Sequence, residues 1–183
     1  YDLQADPGES RNLASQHPDV ARRLRSEYDR WFADVTAGQD YARVPIEVGR
    51  ADENPVEIDL TWGEPVGKRV LPTYRNYNRD IIDRWTEPGD SVRWKLDVVR
   101  PGRYEVTLTY GCRPADAGSR LALTIGSARL EHTVQPTTGR EVFRPFPAGN
   151  LDLSQGPATL EIRPVSITGS ELLALHKIWL RRA

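Results

Sequence analysis

Ser91-Val92-Arg93-Trp94-Lys95-Leu96-Asp97-Val98 sets the period of this chain. Val92, Trp94, Leu96 and Val98 alternate with Ser91, Arg93, Lys95 and Asp97, and a period of two puts every second side chain on one face of a strand. Pro101-Gly102 turns the chain. The alternation then resumes, with Tyr104, Val106, Leu108 and Tyr110 set against Glu105, Thr107 and Thr109, so the two runs read as a hairpin. The phase predicts Val92, Trp94, Leu96, Tyr104, Val106 and Leu108 inside and Arg93, Lys95, Glu105 and Thr107 outside.

The same rhythm continues downstream. Leu121, Leu123 and Ile125 meet a Gly126-Ser127 turn and return as Leu130, His132 and Val134. Leu151 and Leu153 precede Gly156-Pro157, Leu160 and Ile162 follow it, and a last apolar segment runs from Leu172 to Leu180. Short alternating strands broken by turn residues at this spacing predict an antiparallel β-sandwich over residues 56–183. Residues 41–55, with Pro45, Gly49 and Pro55 among mixed charges, read as a linker or tether.

Upstream the period is helical. Pro18 suits a first helical position and Asp19 the positive end of the helix dipole. Val20, Leu24, Tyr28, Trp31 and Val35 recur at steps of four and three, while Arg22, Arg23, Ser26, Asp29 and Arg30 fall on other faces. Gly38 marks the stop. Such a stripe calls for a partner, because contiguous aromatic and aliphatic surface is seldom left bare.

With 183 residues and a formal net charge of −1, the chain carries neither the basic footprint of a nucleic-acid binder nor a polybasic membrane face. No apolar run is long enough to span a bilayer. Its one cysteine, Cys112, has no partner for an intrachain disulfide. The sequence begins on Tyr, contains no Met, and shows no secretory leader, so the start of translation is expected elsewhere.

Two stretches carry family likenesses. Tyr1-Asp2-Leu3 as a short strand, Asp6-Pro7-Gly8-Glu9 as a turn, and Asn12-Leu13-Ala14 ahead of the amphipathic helix resemble the C-terminal signature of the sulfatase family. Residues 1–40 are then the end of a sulfatase catalytic domain. Asn78-Arg79-Asp80-Ile81-Ile82-Asp83-Arg84-Trp85, Val92-Arg93-Trp94, Pro101-Gly102-Arg103-Tyr104-Glu105-Val106, Tyr110-Gly111-Cys112 and Asp116-Ala117-Gly118-Ser119 look like the accessory domains appended to bacterial sulfatases. Those domains are similar to carbohydrate-binding modules with a galactose-binding-like jelly roll. The resemblance implies a parent arylsulfatase using calcium and formylglycine, located in the periplasm or secreted.

The residues supply no catalytic machinery of their own. Cys112-Arg113-Pro114-Ala115-Asp116 only superficially matches the sulfatase formylglycine motif, since Ala115 and Asp116 replace its Ser and Arg, and Cys112 reads as a small core hydrophobe. His17, His132 and His176 lack ligand spacing, and His132 and His176 read as satisfied strand residues. Neither a Ser-His-Asp set nor a phosphate loop can be drawn. Asp52, Glu53 and Glu57 offer oxygens for a structural calcium, without a spacing that marks a site.

A recognition surface is the remaining possibility. Tyr74, Arg75, Tyr77, Asn78 and Arg79 interleave aromatic faces with hydroxyl-reading and cationic groups between Pro72 and the first clear strand, which suits a sugar and, through Arg, a sulfated one. The same side chains could equally plug the end of the sandwich. Trp85 and Trp94 read as core, and Trp62 and Trp179 stand between core and surface. The function expected is a non-catalytic part of a sulfatase whose sandwich binds or orients a polysaccharide; the alternative is a structural module that packs on the catalytic domain or mediates oligomerisation.

Overall fold

The computed structural model describes residues 1–38, 44–67, 70–73 and 80–183, which divide into two units, Tyr1–Ala42 and Arg43–Ala183.

In the first unit, helix α1 spans Pro18–Thr36 with Pro18 in its opening turn, and the chain leaves it through Ala37 and Gly38, the latter at φ +75°. None of the helical residues is buried. Arg25 and Asp29 pair at 3.0 Å one turn apart on its polar side. The strand expected at Tyr1–Leu3 does not form: the Asp2 carboxylate accepts the Gln4 and Ala5 N–H groups at 3.1 and 3.2 Å, and the Asp6 N–H reaches the Asp2 carbonyl at 2.7 Å. A strand needs a neighbour for its ladder, and here an Asp side chain satisfies the backbone locally instead.

The second unit is a sandwich of two sheets, each six-stranded among the described residues. Its strands are β1 (Ile46–Val48), β2 (Val56–Ile58), β3 (Glu64–Val66), β4 (Leu71–Thr73), β5 (Ile81–Asp83), β6 (Ser91–Val98), β7 (Gly102–Gly111), β8 (Arg120–Ile125), β9 (Ala128–Thr133), β10 (Arg144–Leu153), β11 (Gly156–Ser166) and β12 (Ala174–Arg182). The first sheet runs β1-β6-β11-β8-β9 with β3 also on β6; the second runs β10-β7-β12-β5-β4 with β2 also on β12. The pairings are antiparallel except β1 with β6, where Ile46 to Val48 lie parallel to Leu96 to Val98. That strand falls inside the stretch read as a linker, and Val48 is fully buried. Three residues of period two sufficed to enter the sheet, too few to stand out beside Pro45 and Gly49.

The inward phase read from the sequence is the phase found, while on the outward side Ser91 at the start of β6 is buried and Thr107 is half-buried. Val92, Trp94, Leu96, Val98, Tyr104, Val106, Leu108 and Tyr110 are buried, whereas Arg93, Lys95 and Glu105 are exposed. Leu121 to Ile125 and Ala128 to Thr133 form the expected two-residue hairpin. Strands β6 and β7 do not pair, however: β6 lies between β1 and β11, and β7 between β10 and β12. Both strands bury one face in the same core, so the connection crosses from one sheet to the other. Tyr104 fixes that arch by donating its hydroxyl to the Arg100 carbonyl at 2.6 Å, as a buried tyrosine does at the corners of other sandwiches. Gly49, at φ +90°, lies so close that a Cβ would stand 2.2 Å from the Tyr104 hydroxyl.

The large aromatic side chains that carry a polar group into the core have it bonded. Trp85 donates to the Ile82 carbonyl at 3.0 Å and Trp94 to the Asp59 carbonyl at 3.1 Å. The Tyr110 hydroxyl accepts the Gln135 N–H at 2.9 Å and shares a second hydrogen bond, also 2.9 Å, with His132 Nε2. Burial holds the His132 pKa below the ordinary histidine value. Burial likewise pushes the Tyr110 hydroxyl up to about 12.

Two outcomes follow for stability. Removing the Tyr104 hydroxyl (Tyr104→Phe) should cost on the order of 1–2 kcal/mol in urea unfolding, because the Arg100 carbonyl loses its partner, while Lys95→Glu should stay within about 0.5 kcal/mol of neutral. His132 binds a proton more readily unfolded than folded, so stability should fall as pH drops below about 6.5, by up to ~1.4 kcal/mol per pH unit, and His132→Gln should flatten that slope between pH 6.5 and 5.

Candidate functional site

Strand β12 has two phases. Ile178 and Leu180 point into the core, so Lys177, Trp179 and Arg181 lie on the outer face of the second sheet. Each meets a defined neighbour: Lys177 opposite Thr109, Trp179 between Thr107 of β7 and Glu57 of β2, and Arg181 opposite Glu105. Across β7, Thr107 pairs with Pro147 and Glu105 with Asn150 of β10. The indole is thus set in a row of Pro, Thr and Glu, with hydroxyl, amide, carboxylate and guanidinium groups around it.

Beside Trp179 lies a cavity of about 250 Å³ lined by Pro55, Glu105, Thr107, Trp179 and Arg181. An aromatic wall with a few convergent polar groups is the usual make-up of a small-molecule site. The Lys177 ammonium stands 5.4 Å from the indole centroid and 3.0 Å from a Glu57 carboxylate oxygen. Farther along the strand, His176 stacks on Phe143 with centroids 4.4 Å apart and donates Nδ1–H to the Asp80 carbonyl at 3.1 Å. The carbonyl can only accept, which fixes that proton on Nδ1.

Tyr74, Arg75, Tyr77, Asn78 and Arg79 lie outside the described residues. Their described flanks are informative: Thr73 of β4 pairs with Ile81 of β5, and Asp80 is tied to His176 as above. Asp80 therefore meets the strand that carries Trp179 at His176, three residues before the indole, or about 10 Å at the rise of a strand. Of the remaining tryptophans, Trp85 and Trp94 are buried core and Trp62 is partly exposed. Lys177 was not singled out from the sequence, and Glu57 was weighed there only as an oxygen donor to calcium. The signal was present in the alternation of Lys177, Trp179 and Arg181 against Ile178 and Leu180, masked by reading Leu172–Leu180 as one apolar segment.

At one rim of the sandwich the loops are clamped by ions. Arg140 reaches both Asp83 and Glu171, and Arg113 holds Asp116 at 2.7 Å and lies 3.6 Å from Glu171. Asp116 also accepts the Ser170 N–H at 2.7 Å. Burial works to raise the Asp116 pKa, but the Ser170 and Arg113 hydrogen bonds outweigh it and hold the carboxyl below the usual range. The carboxylates have their charge answered by guanidinium groups, so the cluster is a brace. Cys112 is buried beside it, its thiol pushed up to about 11 by burial, with its N–H on the Thr137 hydroxyl. A thiol so raised is a poor nucleophile at neutral pH.

Of the residues weighed for calcium, two carboxylates are already paired with cations. Asp52 is held by Arg50 at 2.9 Å and Glu57 by Lys177 at 3.0 Å, and among the described residues no three His, Cys, Asp or Glu side chains converge. Nor is any described helix long and apolar enough to cross a membrane.

Comparison with known proteins turns on the fold. No protein-family model matches the chain, and no curated protein matches it. Among solved structures, it is similar to a family 35 carbohydrate-binding module from Clostridium thermocellum, at 11% identity and a TM-score of 0.57 over 72% of this chain and 100% of that one. It is also similar to a β-1,3-glucan-binding family 6 module from Bacillus halodurans, at 15% identity and a TM-score of 0.56 over 75% and 99% of the two chains. An exo-β-1,3-galactanase from Phanerochaete chrysosporium matches with a TM-score of 0.55 at 13% identity, over 70% of this chain and 29% of the enzyme. The sandwich therefore has the jelly-roll fold of carbohydrate-binding modules.

The ion brace gives a direct expectation. Arg140→Met would remove the guanidinium shared by Asp83 and Glu171, whose side chains are only 3% and 10% exposed, and should lower stability in chemical unfolding by about 2–3 kcal/mol; Arg129→Met, at an exposed pair, should change it by less than about 0.5 kcal/mol.

Proposed function

We propose that the sandwich is a carbohydrate-binding module that holds a polysaccharide against the outer face of β12 and β7. The observation that carries this reading is Trp179, a half-buried indole beside a cavity lined by Thr107, Glu105 and Arg181, on a fold shared with carbohydrate-binding modules. A sugar offers an apolar C–H face to an aromatic ring and hydroxyls to carboxylate, amide and hydroxyl groups. The cavity volume suits about one sugar ring, with the sheet continuing on both sides. Tyr74, Arg75, Tyr77, Asn78 and Arg79 extend the same surface in this proposal, with Arg75 and Arg79 available to a sulfate.

We further propose that the parent is an arylsulfatase-type sulfuric ester hydrolase, with residues 1–40 the end of its catalytic domain. The support is the motif Tyr1-Asp2-Leu3 through Asn12-Leu13-Ala14 and the helix that follows it, whose stripe stays open: Leu24, Tyr28, Trp31 and Val35 are exposed. The calcium and formylglycine would belong to the upstream body, and an enzyme of this kind would work in the periplasm or outside the cell. In that arrangement the module delivers substrate and takes no part in ester cleavage.

Isothermal titration against soluble β-1,3-glucan, β-1,3-galactan and a sulfated galactan tests the binding reading. Trp179→Ala should weaken the best ligand roughly 5- to 150-fold, the range for loss of one aromatic stacking platform, without a change in melting temperature. Equal affinity for the variant, or no affinity of the wild type for any of the three, would point to a structural module instead. For the parentage, Trp31→Ala should leave this chain's melting unchanged, since the side chain is 57% exposed, but should cost on the order of 3 kcal/mol once the upstream catalytic body is present.

A further inference from the structure

The indole of Trp179 has neighbours of opposite character on its two sides. On one side is the cavity, lined by Pro55, Glu105, Thr107 and Arg181. On the other is the Lys177 ammonium, over the ring at 5.4 Å and held at 3.0 Å by Glu57. Neither Lys177 nor Glu57 lines the cavity. On β12, Lys177 precedes Trp179 by two residues and the cavity-lining Arg181 follows it by two, so the ion pair and the cavity flank the indole along the strand.

A tryptophan on an open sheet face has two side-chain torsions to settle, and an indole free to lie flat would fill the cavity or cover it. The register supplies the restraint. Lys177 and Trp179 share a face two residues apart on β12, and Glu57 sits opposite Trp179 on β2, diagonal to Lys177. The carboxylate draws the ammonium across the strand and over the ring, where the π cloud attracts it.

We propose that Lys177 and Glu57 are positioning residues that back the Trp179 indole and keep its other face presented to the cavity. This rests on the reading of Trp179 as the sugar platform, yet it makes a claim about the free protein as well. Glu57 acts only through Lys177, and Lys177 acts through the ring without touching the ligand. The consequence is an ordered platform before binding, so that the ligand does not have to order it.

The test uses the full 183-residue chain labelled with 5-fluorotryptophan, the Trp179 signal among the five tryptophans being assigned by its loss in Trp179→Phe. In ¹⁹F spectra without ligand, wild type and Lys177→Arg should give one sharp Trp179 line, whereas Lys177→Ala and Glu57→Gln should broaden or split it. Titration with the best of the three polysaccharides should show affinity falling about two- to fivefold in Lys177→Ala and Glu57→Gln, the scale of an exposed cation–π contact, and little change in Lys177→Arg. Melting temperatures should not move. An unchanged Trp179 line in both Lys177→Ala and Glu57→Gln overturns the brace, and a loss of affinity without a change in that line means that Lys177 contacts the ligand directly and overturns it too. Failure of Trp179→Ala to affect binding would instead remove the platform reading, while the ring signal would still decide the brace.

Discussion

The sandwich depends on the chain crossing between its sheets after Val98, and one hydrogen bond fixes that crossing. The Tyr104 hydroxyl closes on the Arg100 carbonyl while its ring stays in the core, so the turn at Pro101-Gly102 opens into an arch instead of a hairpin. From there, β6 takes β1 and β11 as neighbours and β7 takes β10 and β12. The two apolar faces then meet. Hydrophobic burial supplies the driving force, but it is non-directional; the arch decides which strand sits in which layer, and so which face of β12 looks out.

That choice creates the candidate site. Once Ile178 and Leu180 are committed to the core, Trp179 has no inward position, and its area must be shared between solvent, cavity and Lys177. A structural reading of the same indole would want it covered by apolar neighbours. Its neighbours are Pro55 and, apart from that, Thr107, Glu105, Arg181, Lys177 and Glu57, polar groups around an open cavity. The rim at the other set of loops is built differently, with Arg140 and Arg113 closed onto Asp83, Glu171 and Asp116. There the charges answer one another and leave little for a ligand to bond.

Much of the fold was legible because period-two patterning is a strong signal wherever a strand has one wet face. The inward and outward sets of β6 and β7, the β8–β9 hairpin, and helix α1 with its opening Pro18 were all readable from alternation and end signals. What alternation cannot give is pairing: two runs separated by a Pro-Gly turn look the same whether they pair in one sheet or face each other across a core. Short strands were lost for a related reason, Ile46–Val48 being three residues beside Pro45 and Gly49. The opposite error occurred at Tyr1–Leu3, where Asp2 turned the backbone back on itself before a ladder could form. At the candidate site, Trp179 could have been assigned by phase alone, whereas the approach of Glu57 to Lys177 joins residues far apart in sequence and belongs to the fold. The proposed residues Tyr74 to Arg79 lie outside the described residues and rest on composition.

The most direct measurement is a map of where a glycan touches the sandwich. Amide and indole N–H shifts of the labelled chain, followed during titration with β-1,3-glucan, β-1,3-galactan and sulfated galactan, should move for the Trp179 indole, Thr107, Glu105 and Arg181, and for neighbours along β7 and β12. Shifts confined to the opposite sheet, around Arg93, Lys95 and Thr159, or none at saturating ligand, would contradict the account.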